Sequence, residues 1–332
     1  MFKGIIRFLG SRQLTIGLLI AGAIYFFYLT ILWFLNMRPP AHFMVWFPLL
    51  VIIIPFLANV LISLFTRHYV YTGNILFHAA FFVVAIGIII SLFYRFEGTA
   101  VLTEGGVFWG ERANYVAVNK KEDFDRLAPK VSFKLDKIVP EYWGERLHFT
   151  RLDGEVRYPA ETLENKGMVR LNGGLKINGA RIRHEGFGFA PEILVEDLKG
   201  GAIRRQTAIM RLFPPGSEDY LEFGSYKIYM QIFSDPVEGK DGFRNRSMNL
   251  SEPIFKIKVQ WMGQQIHEGI LKLGDTIRLG TVGISFPKVK YWLQIEIVRD
   301  PGELIVIIGF ITLIAGLFFR LFFPNPRREK RT

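Results

Sequence analysis

Of the six histidines in this 332-residue chain, only His78 falls well inside an apolar run. It stands about one turn into a stretch that opens Asn74-Ile75-Leu76-Phe77-His78 and continues without Asp, Glu, Lys or Arg to Tyr94. An ionisable side chain is expensive to place in such a run and marks a functional site by default. Imidazole suits iron, and axial histidine is a common way of holding haem. Phe77, Phe81 and Phe82 accompany it at helical spacing and would supply the apolar wall a porphyrin needs. The alternative is a histidine hydrogen-bonded to a neighbouring helix near a membrane interface, and the residue types leave both readings open.

A haem with two axial histidines needs a second one at similar depth, and no other apolar run contains one. His68 lies beside Arg67 in a turn, and His42 follows Arg38-Pro39-Pro40 where an apolar run begins, an interfacial position. If His78 ligates haem, the second ligand therefore comes from another polypeptide. His148, His184 and His267 are scattered through a mixed polar and apolar stretch. They belong to no H-x-H, H-E-x-x-H or paired-carboxylate pattern and read as structural or surface residues. No nucleophile elbow, P-loop or zinc spacing occurs. The absence of cysteine excludes a thiol relay, an iron–sulfur cluster and covalent haem attachment to this chain. It also leaves any exported domain to be held by packing and sheet ladders rather than disulfides.

The elements that must position these residues follow from hydropathy. Half the chain is hydrophobic, concentrated in four runs: Leu14–Leu35, Phe43–Phe65, Asn74–Tyr94 and Glu303–Phe323. Each is about as long as a helix needs to cross a bilayer. The first is too long for a signal peptide, and no small-residue cleavage site follows it. The second contains Pro48 and Pro55, which membrane helices tolerate when neighbours satisfy the freed backbone. Asp300-Pro301-Gly302 opens the fourth. Four transmembrane helices are thus expected: three in residues 1–95, then a fourth with a basic tail in residues 301–332. Residues 96–300 form a separate domain.

Charge gives direction. The formal net charge is +11, but residues 95–300 hold 31 Lys/Arg against 28 Asp/Glu. The excess sits on helix flanks: Lys3, Arg7 and Arg12 before the first run, and Arg327, Arg328, Lys330 and Arg331 after the last. Basic flanks mark the cytoplasmic side, so both termini and the Arg67-His68 turn are expected there. The domain of residues 96–300 then lies on the periplasmic or outer face. This distribution is not a nucleic-acid surface, which needs a basic patch on a folded domain.

Residues 96–300 alternate with period two: VSFKLDKIV from Val131 to Val139, YKIYMQIF from Tyr226 to Phe233, IFKIKVQW from Ile254 to Trp261. Ile277–Val298 holds at least two further strands, punctuated by Gly280, Gly283 and Pro287. Asn172-Gly173-Gly174 and Asn178-Gly179 read as tight hairpin turns. Ser234–Ser251, rich in glycine, proline and charge, reads as a solvated loop. The expectation is an all-β sandwich or barrel-like domain.

Several short motifs resemble the ResB/CcsB family of system II cytochrome c biogenesis proteins. Phe8-Leu9-Gly10-Ser11-Arg12-Gln13-Leu14-Thr15 is similar to that family's L-x-S-x-x-L-T opening. Leu76-Phe77-His78 with Gly87 resembles its hydrophobic-His…Gly helix, and Gly98…Glu104-Gly105-Gly106 follows as in the family. Leu293-Gln294-Ile295 and Arg299-Asp300-Pro301-Gly302, leading to Gly309 and Gly316, resemble its closing signature. The resemblance implies an accessory subunit of a haem lyase (holocytochrome c synthase) complex, not an enzyme by itself. Haem b would be bound transiently on the way across the cytoplasmic membrane to apocytochrome c. In that family the histidine of the third helix is a haem ligand, which carries over to His78, and a CcsA/ResC-type membrane partner supplies the other. The partner's tryptophan-rich segment and outer histidine pair are absent from this chain. Two other classes remain: a b-type-haem electron-transfer subunit of a quinol-oxidising complex, and a membrane-anchored binding domain without haem.

Overall fold

A computed structural model describes residues 4, 8–35, 42–66, 72–143, 148–171, 173–197, 201, 203–211, 218–240 and 242–323. The chain divides into two compact units, Met1–Arg95 with Asp300–Thr332, and Phe96–Arg299.

The first unit is helical: α1 (Arg12–Phe34), α2 (His42–Thr66), α3 (Thr72–Tyr94) and, after a short α4 in the other unit (Phe124–Leu127), α5 (Glu303–Phe322). Three of these have the length and apolar character to cross a membrane, and α2 contributes a shorter apolar stretch, Phe47–Ser63. Pro48 and Pro55 lie inside α2 without ending it. The Arg67-His68 turn, Lys3, Arg7 and the basic tail lie outside the described residues, as do the side chains of His42 and His148.

α3 and α5 pack along a seam of small residues. A methyl group added at Gly316 would meet the Phe77 backbone, at Gly309 that of Val84, and at Gly302 that of Gly87 and Ser91. Gly302 at the entry to α5 and Gly309 and Gly316 on it recur every seven residues, and so do Phe77, Val84 and Ser91 on α3, in opposite order. A repeat of seven keeps one stripe facing its neighbour along two antiparallel helices, and small residues permit the close backbone approach that drives association in lipid. Asp300 Oδ1 accepts from Ser91 Oγ (2.7 Å) and from the Gly302 amide (3.0 Å), fixing the entry to α5.

The second unit has eighteen strands among the described residues. Its largest sheet runs β10 (Met210–Arg211), β8 (Ala180–Asp197), β18 (Val282–Arg299), β1 (Phe96–Thr103), β3 (Ala117–Val118). Strands β7 (Leu175–Ile177) and β9 (Ile203–Thr207) also pair with β8, and β17 (Thr276–Leu279) with β18. A second sheet runs β2 (Val107–Phe108), β4 (Phe133–Trp143), β5 (His148–Tyr158), β6 (Asn165–Val169). A third runs β11 (Asp219–Phe223), β12 (Tyr226–Phe233), β15 (Ile254–Trp261), β16 (Gln264–Lys272). The hairpin β13 (Pro236–Gly239) and β14 (Gly242–Asn245) stands apart. Phe96 pairs with Arg299 and Thr103 with Trp292, so the first and last strands of this unit are neighbours. The three main sheets share one core, in which Phe108, Phe133, Phe189, Phe255 and Phe286 are fully buried.

β12 and β15 occupy the residues their alternation predicts, and Asn178 and Gly179 take positive φ in the β7–β8 turn, as a type I′ hairpin requires. Four expectations need correction. No sheet closes into a barrel among the described residues. Val131 and Ser132 precede β4, whose pairing begins with Phe133 opposite Phe108 of β2. Pro287 does not interrupt β18, because the register shifts between Ser285 and Lys288 and places it in a bulge, where its missing N–H is tolerated. Ser234–Ser251 is not a plain loop. Besides the β13–β14 hairpin, it contains Asp235, buried and accepting from Arg246 Nη2 (2.9 Å) and Ser247 Oγ (2.7 Å).

Candidate functional site

His78 lies on α3, half-buried, with Nδ1 2.7 Å from the carbonyl oxygen of Asn74. A carbonyl only accepts, so Nδ1 is the donor, and in the neutral ring Nε2 is the nitrogen with a free lone pair. Ligating histidines commonly have their other N–H held this way, which fixes the tautomer and ring orientation. The bond arises from helix geometry, since residues four apart stack on one face.

The phenylalanines are arranged unequally around His78. Phe77 stands edge-on to the imidazole at 5.6 Å between centroids. Phe77 meets Phe81 at 5.2 Å, and Phe81 meets Phe56 of α2 at 5.3 Å, giving an aromatic chain that links α2 to α3. Phe82, one turn beyond His78, is half-buried and shares its helical face. The Arg320 guanidinium of α5 lies 6.0 Å from the Phe77 ring centre. Sequence reasoning missed Phe56 and Arg320. The signal for Arg320 was a lone basic residue in the last turn of an otherwise apolar helix. The site thus offers one oriented nitrogen ligand, an aromatic wall and a nearby cation. Among the described residues no group of three His, Asp or Glu side chains converges to hold a metal ion.

A second polar centre ties α1 to α2. Asn59, buried within an apolar helix, accepts from Thr15 Oγ1 (2.6 Å) and donates to the carbonyls of Ser11 (3.0 Å) and Leu9. Ser11 Oγ accepts from the Leu14 amide (3.2 Å), starting α1. The opening motif is therefore a helix start and a docking point. Glu104 serves likewise in the β unit. It accepts from the Ile138 amide (2.9 Å) and, through its carbonyl, from Lys290 Nζ (2.9 Å).

The remaining described histidines are distant from this chemistry in sequence and role. His184 is 2% exposed on β8. Its pKa is lowered chiefly by burial, against the opposing pull of Asp153. Asp153 is itself buried and is reached by the partly exposed guanidinium groups of Arg151 (3.2 Å) and Arg170 (3.1 Å). His267 is half-buried on β16. Comparison with known proteins matches residues 67–328 to the ResB-like family, and no curated protein matches the chain.

Proposed function

The chain belongs to the ResB-like family, which is associated with cytochrome c biogenesis, and from that membership we propose that it is the haem-handling membrane subunit of a system II cytochrome c synthetase. All four apolar helices span the membrane, both termini face the cytoplasm, and the β unit lies on the outer face. His78 provides one axial ligand to haem b in transit, Phe77, Phe81 and Phe82 line the porphyrin, and a CcsA/ResC-type partner provides the second ligand. Haem itself supplies the vinyl groups that apocytochrome c thiols attack, so this chain needs no nucleophile of its own. Its residues hold the cargo and exclude water.

The observation that carries the reading is the bond from His78 Nδ1 to the Asn74 carbonyl (2.7 Å). It fixes the ring so that, in the neutral tautomer, Nε2 is the nitrogen able to coordinate iron. The test is co-expression with the candidate partner, followed by haem spectra of the purified complex with and without His78→Ala. Joint loss of haem and of c-type cytochrome assembly is expected. Loss of haem with intact c-type cytochromes would indicate electron transfer instead. Absence of haem from both proteins would overturn the reading.

A further inference from the structure

Arg320 is a cation with no acidic residue near it. Residues 1–95 contain no Asp or Glu, and residues 300–332 contain three: Asp300, Glu303 and Glu329. Asp300 and Glu303 stand at the opposite end of α5, about 25 Å or more away along the helix. Glu329 lies outside the described residues, in a tail where Arg327, Arg328, Lys330 and Arg331 outnumber it. Among the described residues Arg320 makes no ion pair and no side-chain hydrogen bond; its guanidinium meets the Phe77 ring, 6.0 Å from the centroid.

Packing sets this cation near the level of His78. A methyl group added at Gly73 would meet the Arg320 amide nitrogen at 2.7 Å, and Gly73 precedes Asn74, whose carbonyl orients the imidazole. Side chains on a helix lean toward its N-terminus. On α5 that direction runs from Gly73 toward Phe77, because α3 is antiparallel and Gly316 abuts the Phe77 backbone. The guanidinium therefore reaches back beside the aromatic wall. Phe77 stands 5.6 Å from the imidazole and 6.0 Å from the guanidinium, which bounds their separation at about 12 Å.

We propose that Arg320 binds a carboxylate of the porphyrin whose iron His78 takes, and so turns the propionate edge of the ring toward the C-terminal end of α5. The inference rests on the haem reading of His78 and adds the group that orients the ligand. A metalloporphyrin has iron at its centre, apolar faces and two carboxylates on one edge. One nitrogen ligand, an aromatic wall and a cation displaced to one side match it group for group. Guanidinium suits a carboxylate because its planar fork of N–H donors can bond both oxygens. An arginine near the end of an apolar helix can instead extend to a lipid phosphate, but this one leans toward Phe77.

The test uses the full chain co-purified with its candidate partner in detergent. It is titrated with haem and with haem dimethyl ester, which keeps the iron and the ring and lacks both negative charges. Soret absorbance reads binding. The native protein is expected to prefer the free acid by about tenfold, the scale of one hydrogen bond to a charged group. Arg320→Gln should remove that preference by weakening the free acid alone, its unchanged affinity for the ester showing an intact fold. Arg320→Lys should keep part of it. Equal binding of acid and ester by the native protein, or the same preference in Arg320→Gln, would overturn the proposal and leave Arg320 to a lipid phosphate. His78→Ala separates this inference from the reading beneath it. If His78→Ala weakens acid and ester alike while Arg320→Gln changes neither, the haem reading stands and this one fails. If His78→Ala changes neither, both fail.

Discussion

Replacing Gly316 by Ala tests whether the seam between α3 and α5 holds His78 in place. An added Cβ would sit 2.4 Å from the Phe77 amide nitrogen and 2.8 Å from its Cα. Unstrained contacts between such atoms need about 3.5 Å, so the helices must separate locally by roughly 1 Å. Both atoms are backbone and cannot rotate away. Overpacking of this kind costs about 1–3 kcal/mol, while alanine returns up to about 1 kcal/mol through its better helix propensity. Gly17→Ala is the control, because nothing among the described residues lies within 4 Å of a Cβ there and only the propensity gain applies. The difference between the two variants therefore isolates the packing cost, about 1–3 kcal/mol. Thermal unfolding in detergent measures it. Because the chain has no cysteine, an engineered cysteine pair across α3 and α5 gives a separate readout of helix separation by its oxidation rate. Since the displaced atoms belong to the residue before His78, haem retention should fall together with stability. Equal melting shifts for Gly316→Ala and Gly17→Ala, with unchanged cross-linking, would refute the reasoning.

Asn59→Leu removes a side chain that makes three hydrogen bonds to the start of α1. It should loosen that helix by about 1–2 kcal/mol, read as faster proteolysis near Leu9. His184 should make the β unit sensitive to mild acid. Its folded pKa lies below the ordinary value of 6.5, so below about pH 6.5 the unfolded chain takes up a proton that the folded one refuses. Stability then falls with decreasing pH, by at most about 1.4 kcal/mol per unit, until the folded pKa is passed. Denaturant titrations at pH 7.5 and 5.5 should show the loss in the native protein and not in His184→Phe. The lowered Asp136 and Asp235 act in a more acidic window, below the usual aspartate value of 3.8, and will not mask it.

Properties that depend on neighbours along the chain were legible in the sequence. Run length and the absence of charge marked the helices. Period-two alternation marked β12 and β15, and Asn-Gly marked a hairpin, because each reports a local backbone preference. His78 stood out for the same reason, as an ionisable group in an apolar run. The short motifs resembled the family that the match over residues 67–328 shows, but their physical work was not readable from them. Ser11 and Thr15 meet Asn59, and Gly309 and Gly316 admit the α3 backbone, only once distant segments are packed. The register shift that carries β18 past Pro287 and the anchoring of Asp235 by Arg246 are likewise products of strand order. Each depends on which segment becomes whose neighbour. Many long-range contacts decide that together, so it is a property of the tertiary structure rather than of any stretch of sequence.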